Sequence, residues 1–237
     1  MASYEVTADP DLGLKTTLRR YMDLPKFLDL LHSRSIYLRR ADGFADRLEG
    51  ALFPSHREFI ERAHGAGYKN ENANNFYRRG RTGNYVSCWT RGSRDSMALW
   101  QLYGGAGASV AVTTTVEQIV QVALTWKRRA VIHRVKYVEH AKVKTYVIGA
   151  YTDMLQYKHV AYKHENEVRL IVPQQGDGWE NNPMGLKFAV PDLSRLIRKV
   201  VVSPEATPEF VEVVKDVALK YQLRSPVLQS TLAKVAV

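Results

Sequence analysis

The run Glu165-Asn166-Glu167-Val168-Arg169-Leu170-Ile171-Val172 constrains the fold more than any other segment. Side chains on a strand alternate faces with a period of two. Glu165, Glu167 and Arg169 then share one face, while Val168, Leu170 and Val172 line the other. The apolar row needs a core, so the charged row is expected to look outward, into solvent or a cleft. Two carboxylates one pleat apart, roughly 6.5–7 Å by strand rise, can steady a developing cation or polarise a hydroxyl. A solvated strand face with a Glu–Arg pair would read the same way.

Other segments supply the elements around this strand. Leu24 to Leu31 reads as a helix with Pro25 in its first turn. Ser35 to Arg39 reads as a short strand broken by Ala41-Asp42-Gly43. His56 to Ala66 looks helical, and Gly67 to Asn84, rich in Asn and Arg, reads as a surface loop. Strands are expected at Tyr85–Trp89, Ser109–Thr113, Ala130–Val135, Lys187–Val190 and Lys199–Val202. Asp95 or Ser96 caps a short helix holding Met97, Trp100 and Tyr103, which Gly104-Gly105 ends. Thr115 to Thr125 and Tyr146 to Tyr162 read as helices. Pro208 to Tyr221 reads as an amphipathic helix presenting Phe210, Val213, Val214, Val217 and Tyr221. Strands neighbour one another and helices are interspersed irregularly. The expected architecture is α+β: a single domain over residues 1–237, with a mixed or antiparallel split sheet and flanking helices. Within it, 51–84 forms a helical and loop insertion, and 208–237 a closing helix and strand.

Composition decides the class of partner. The 237 residues carry 34 Lys and Arg against 24 Asp and Glu, a formal charge of +10. The positive residues cluster: Arg78, Arg79 and Arg81, then Arg91 and Arg94, then Lys127, Arg128, Arg129, Arg134 and Lys136, with Lys142, Lys144, Lys158 and Lys163 beyond. Such a field draws polyanions such as nucleic acid or a dinucleotide. Arginines beside Tyr77, Tyr85 and Trp89 suit phosphate or base contacts, so Arg78, Arg79, Arg81, Arg91, Arg94 and Lys163 are the candidate anion-binding residues. No apolar run reaches the roughly 18–20 residues of a membrane span. The start, Met1-Ala2-Ser3-Tyr4-Glu5, has no secretory pattern, and the single Cys88 fits a reducing compartment, so a cytoplasmic protein is expected.

Four landmarks occur in order: Phe44-Ala45-Asp46-Arg47-Leu48-Glu49-Gly50, Cys88-Trp89-Thr90, Ser96-Met97-Ala98-Leu99-Trp100-Gln101-Leu102-Tyr103-Gly104, and Lys163-His164-Glu165-Asn166-Glu167-Val168-Arg169-Leu170. With Tyr21 and Val201-Val202-Ser203-Pro204 they resemble a bacterial family known as domain of unknown function 2971, over about residues 18–232. More distantly, the order of early basic residue, Ser-bearing strand and Glu-x-Glu resembles the ADP-ribosyltransferases. That resemblance implies NAD as substrate, with Arg19 or Arg20 on its phosphates and Ser87 shaping the nicotinamide pocket. Glu167 would hold the ribose and stabilise the oxocarbenium-like transition state, and Glu165 would assist the acceptor. Trp100 and Tyr103 could wall the pocket, or simply fill the core. The Val86-Ser87-Cys88-Trp89-Thr90 segment departs from the Ser-Thr-Ser form of that superfamily. The implied acceptor is nucleic acid or a nucleic-acid-associated protein, the implied role a toxin or phage-defence effector, and an antitoxin or immunity partner could accompany it.

Two other readings remain open. Asp46 and Glu49, with Glu165 and Glu167, could form a Mg²⁺ site for phosphodiester cleavage, with Lys163 near the chemistry. In that region Asp46 could equally be a turn residue and Glu49 the partner of an arginine. The chain could also bind nucleic acid without catalysis. Zinc is not expected, since His159 and His164 are five apart and miss one helix face, and no metal enters the leading reading. Cys88 reads as a small buried apolar residue and not a nucleophile.

Overall fold

The computed structural model describes residues 5–46, 48–67, 71–105, 107–143 and 149–233. Met1 to Tyr4, Arg47, Lys144 and the start of the helix expected from Tyr146 lie outside the described residues.

Strands β1 (Val6–Ala8) and β2 (Thr17–Asp23) open the chain. The Arg19-Arg20-Tyr21 patch is thus the middle of a strand, with Leu18, Arg19, Tyr21 and Met22 buried. Helix α1 (Leu24–Ser33) follows at once, because the Asp23 carboxylate accepts the Lys26 N–H at 2.8 Å and Pro25 suits the first turn. Strand β3 (Ser35–Arg40) and a 3₁₀ turn at Ala41–Gly43 lead to α2 (Pro54–Gly65).

Helix α3 (Ala73–Thr82) stands where a surface loop was expected. The Asn72 side chain caps it through the Asn75 N–H at 2.9 Å, and Ala73, Phe76 and Gly80 form its buried stripe. Its apolar residues are few, so the pattern was masked by Asn and Arg. Gly80 is required there, since a Cβ would run into the Met154 side chain.

Strand β4 (Asn84–Arg91) and a single helical turn, α4 (Met97–Leu99), come next. The turn passes into a π-helical segment, Trp100–Gly104. Strand β5 (Ser109–Thr115) enters α5 (Val116–Leu124) through a capping box between Thr115 and Gln118. Strands β6 (Ala130–Arg134) and β7 (Lys136–Val138) follow.

The helix expected to reach Tyr162 is replaced, among the described residues, by a 3₁₀ turn at Asp153–Gln156, strand β8 (Tyr157–His159) and a 3₁₀ helix at Val160–Glu165. One Asp153 carboxylate oxygen accepts the Gly149 and Ala150 N–H groups, both at 2.8 Å, which folds that stretch into a turn. Strand β8 then pairs in parallel with β7. Strands β9 (Glu167–Pro173) and β10 (Gly185–Ala189), helix α6 (Leu193–Leu196), strand β11 (Lys199–Val202), helix α7 (Pro208–Lys220) and strand β12 (Val227–Gln229) complete the order. Helix α7 buries Val211, Val214 and Ala218, a stripe displaced from the one expected, and Val213 is exposed.

The backbone groups into two compact units, each assembled from separate stretches. The first holds Met1–Asp9, Leu38–Cys88 and Arg128–Leu186. In it β1 pairs in parallel with β6, β6 pairs antiparallel with β9, and β9 neighbours β4. Ile171, Val86, Met154, Leu155, Ile60 and Phe76 form its core. The second unit holds Pro10–Tyr37, Trp89–Lys127 and Lys187–Val237. There β2 lies between the end of β4 and β5, β5 pairs antiparallel with β11, and β11 pairs in parallel with β12. Tyr21, Leu99, Trp100, Ala111 and Val201 pack its core. In each unit the strand pairing is mixed and helices flank it, so the chain is α+β. Among the described residues, no helix is long and apolar enough to cross a membrane.

Candidate active site

The charged row of β9 does not face solvent. Glu167 and Arg169 are 4% and 1% exposed, and Glu165 is 6% exposed. Alternation puts Glu167, Arg169 and Ile171 on one face, and Ile171 belongs to the core of the first unit. That side of the strand is covered by the segment around Leu155, whose carbonyl accepts from Arg169 Nη1 at 2.8 Å.

Arg169 is fully satisfied. Its Nε donates to Glu167 Oε1 and its Nη2 to Glu167 Oε2, both at 3.0 Å. Nη2 also donates to Glu49 Oε2 at 2.8 Å, and Nη1 to Glu49 Oε1. With the Leu155 carbonyl, all five guanidinium N–H groups have acceptors. A buried arginine needs that completeness, because desolvation costs several kcal/mol for each ion.

Lys158 closes the other side. Its Nζ lies 2.5 Å from Glu165 Oε2 and 3.3 Å from Glu167 Oε2, and 4.6 Å from the Tyr162 ring centroid. Glu165 and Glu167 thus converge on one ammonium although only Glu167 is on the strand. Asn166 makes this possible: at φ 43° it takes the left-handed conformation between the 3₁₀ helix and β9. Gly50, at φ 68°, turns the chain directly after Glu49. The Tyr137 hydroxyl accepts the Glu167 N–H at 2.8 Å, and the Cys88 thiol donates to the Glu167 carboxylate.

Three carboxylates and two cations share this site. Burial opposes ionisation of Glu167, yet Arg169 and Lys158 outweigh it and hold that carboxyl down at about 2. Burial pushes Glu49 above the usual carboxylate range despite Arg169. Burial alone would lower Lys158, but Glu167 and Glu165 carry it upward. The Tyr137 phenol is driven to about 12 by burial, and the Cys88 thiol is pushed well up by burial and by Glu167. Chemically, the site is an ionised Glu167 carboxylate with Glu165 beside it, both aimed at one ammonium.

The other predicted residues fall as follows. Ser87 is buried beside Cys88, and alternation turns its side chain to the opposite face from the thiol that meets Glu167. Asp46 caps the Leu48 N–H at 2.9 Å, and Glu49 is engaged by Arg169, so cationic side chains stand among the carboxylates assigned to the Mg²⁺ reading. Arg79 donates to the Gln175 carbonyl at 2.8 Å and lies 5.2 Å from the Tyr151 centroid. Arg78 lies 5.9 Å from Trp179, and Arg81 donates to Tyr77 Oη at 2.7 Å. Lys163 is exposed, and Lys158 is the lysine that reaches the carboxylates.

Arg19, Arg20, Trp100, Tyr103, Arg91 and Arg94 belong to the second unit. Buried Arg19 donates to the Ser93 carbonyl at 2.7 Å and pairs with Asp95 at 3.3 Å. Asp95 also accepts from Trp100 Nε1, and Arg20 lies 6.0 Å from the Trp89 centroid. Trp100 meets Tyr21 edge-on at 4.8 Å and is core, whereas Tyr103 is 46% exposed. The π-helical segment rotates the two apart, which an i, i+3 reading of an α-helix did not foresee. Sequence reasoning missed the roles of Lys158, Tyr137 and Cys88, while its alternative of a Glu–Arg pair, with Glu49 the partner of an arginine, matches Arg169. The available signal was Arg169 itself, a charge in an apolar strand that needs partners on its own face.

No protein-family model and no curated protein matches the sequence, so the resemblance to domain of unknown function 2971 gains no support there. Three solved structures align over most of the chain. Thermus sp. 2.9 DarT in complex with carba-NAD+ aligns at 10% identity and TM-score 0.41, covering 93% of this chain and 98% of that one. The same protein in complex with ADP-ribosylated ssDNA aligns at 10% identity and 0.42, covering 94% and 97%. In complex with NAD+ it aligns at 9% identity and 0.42, covering 94% and 98%. At TM-scores this low the likeness carries no argument.

Proposed function

We propose that the chain is an ADP-ribosyltransferase-type enzyme that takes NAD as substrate and transfers its ADP-ribose to a nucleic acid or a nucleic-acid-associated target. One observation supports this above the rest: the Glu165 and Glu167 carboxylates meet at a single ammonium, shielded from water, with Glu167 held ionised. A site that holds the Lys158 ammonium suits another cation of similar placement, and the pyridinium–ribose end of NAD is cationic. Lys158 would have to leave as that group enters.

In the proposed step the bond from ribose C1′ to the nicotinamide nitrogen breaks, and its electron pair neutralises the departing ring. Positive charge passes to the ribose, where the Glu167 carboxylate favours it in a low-dielectric setting. An acceptor N–H or O–H attacks C1′, and its proton passes to Glu165. Arg169 fixes the plane of the Glu167 carboxylate through two N–H bonds. The charge of +10 draws the polyanionic acceptor. A toxin or phage-defence role would suit such an activity.

A second reading rests on burial. Carboxylates this enclosed also serve as the ionic core of a non-catalytic nucleic-acid-binding protein. Nicotinamide release from NAD, with and without single-stranded oligonucleotide, separates the two. Glu167→Gln, nearly isosteric and uncharged, should lower release by about 10²–10³-fold while circular dichroism stays unchanged. Release untouched by that change, or absent from the wild-type chain, overturns the enzyme reading.

A further inference from the structure

A cavity of about 370 Å³ in the second unit is lined by Gln118, Ser194, Arg195, Arg198, Arg224 and Ser225. Three guanidinium groups border it, and none of these residues belongs to the carboxylate site or to the arginines singled out above. Their backbones are fixed. The Arg198 N–H donates to the Thr113 carbonyl at 2.8 Å, and Gln118 Nε2 donates to the Arg195 carbonyl at 2.7 Å. The Arg224 N–H donates to Ser194 Oγ at 3.0 Å, and the Ser225 hydroxyl donates to the Ile197 carbonyl. Gln118 is itself held by the capping box of α5.

The side-chain ends are not consumed in the same way. Asp192 pairs with Arg224 at 3.0 Å and approaches Arg195 Nε at 3.7 Å, leaving most N–H groups of both unspent. The Arg198 guanidinium has no partner among the described residues. Three arginines line a hollow of small-ligand size, and the one carboxylate that pairs with two of them, Asp192, is not part of its lining. Planar guanidinium donors carried on a held backbone match phosphoryl oxygens better than they match any neutral ligand.

We propose that this cavity binds a phosphoryl group, carried either by a free nucleotide or by the backbone of a nucleic-acid strand. The proposal does not depend on the carboxylate site being catalytic. Binding of inorganic phosphate, AMP and a fluorescein-labelled oligothymidylate is measured by calorimetry or anisotropy at low and moderate salt. The double variant Arg195→Ala/Arg198→Ala is compared with Lys215→Ala/Lys220→Ala, which removes equal charge from α7.

The arginine double variant should weaken binding by about tenfold or more, and the lysine double variant by much less. If the source is a strand, the oligonucleotide salt slope should become shallower by about 1.4, from about 0.7 for each phosphate no longer neutralised. If it is a nucleotide, AMP should bind at least as well as the strand and weaken to the same extent. Equal weakening by both double variants, or no saturable binding of any of the three probes, overturns the proposal. Folding of each variant is checked by thermal melting.

Discussion

Lys158 Nζ sits 2.5 Å from Glu165 Oε2, with both side chains only 8% exposed. The same ammonium reaches Glu167 at 3.3 Å, so one lysine neutralises two carboxylates from two different elements. Removing it leaves both buried and under-compensated. Lys158→Met should cost about 3–5 kcal/mol in urea unfolding at neutral pH. Adding Glu165→Gln should recover part of that loss, giving a coupling of at least about 1 kcal/mol in the double-mutant cycle. Strictly additive losses would show that the pair is not coupled.

Acid should unfold the protein partly through Glu167. Its carboxyl sits at about 2 when folded and near 4.5 when unfolded, so the folded state binds fewer protons. The stability it contributes, about 3 kcal/mol, is complete above pH 4.5 and drains away as pH falls toward 2. Glu49 works in the opposite sense, because its raised carboxyl is easier to protonate in the folded state. Unfolding measured from pH 7 to pH 3 should therefore show a steeper acid loss in the wild type than in Glu167→Gln. Parallel curves would remove Glu167 as the source.

Gly50 cannot be replaced freely. At φ 68° an L side chain is strained, and a Cβ would lie 3.2 Å from Leu155 and 3.3 Å from Met154. Gly50→Ala should lower stability by about 1–2 kcal/mol, read from the urea midpoint at constant slope. A neutral result would mean that the turn after Glu49 relaxes without strain.

Asn166 should discriminate sharply among substitutions. Asn and Gly accept the left-handed region, whereas a β-branched residue there is an outlier. Asn166→Gly should change stability by well under 1 kcal/mol, and Asn166→Val should cost about 1–2 kcal/mol. Under the proposed activity, nicotinamide release should follow the same order, since this turn aims Glu165. Equal effects of Gly and Val would show that the backbone at 166 does not set the site.

The elements legible in the sequence are those with dense apolar periods or strong caps. Pro25 in a first turn and the apolar spacing after Thr115 marked two helices that the structure contains, and the caps at Asp23 and Thr115 explain where they start. Helix α3 was hidden because three small or aromatic residues, Ala73, Phe76 and Gly80, suffice to bury it. The helix expected through Tyr162 failed because Asp153 captures two backbone N–H groups and β7 offers β8 a partner. At the site, the sequence put Glu165 and Glu167 on one strand face turned to solvent or a cleft, whereas they meet buried at Lys158 and only Glu167 is on the strand. Lys158, nine residues from Glu167, covers the carboxylates, and Glu49, 120 residues from Arg169, completes the guanidinium; the sequence offered Glu49 an arginine without saying which, and no local pattern announced the lysine.

Arg169 also bears on how the sheet of the first unit finds its alignment. It faces His133 across the β6–β9 ladder, and a slip of one residue would swing its guanidinium to the face now held by Val168 and Leu170. All five of its donors would then be without acceptors in an oily setting, and Glu49 would be stranded without a counter-ion. A strand with aliphatic residues on both faces would lose less by such a slip; this one carries a built-in proofreader against it.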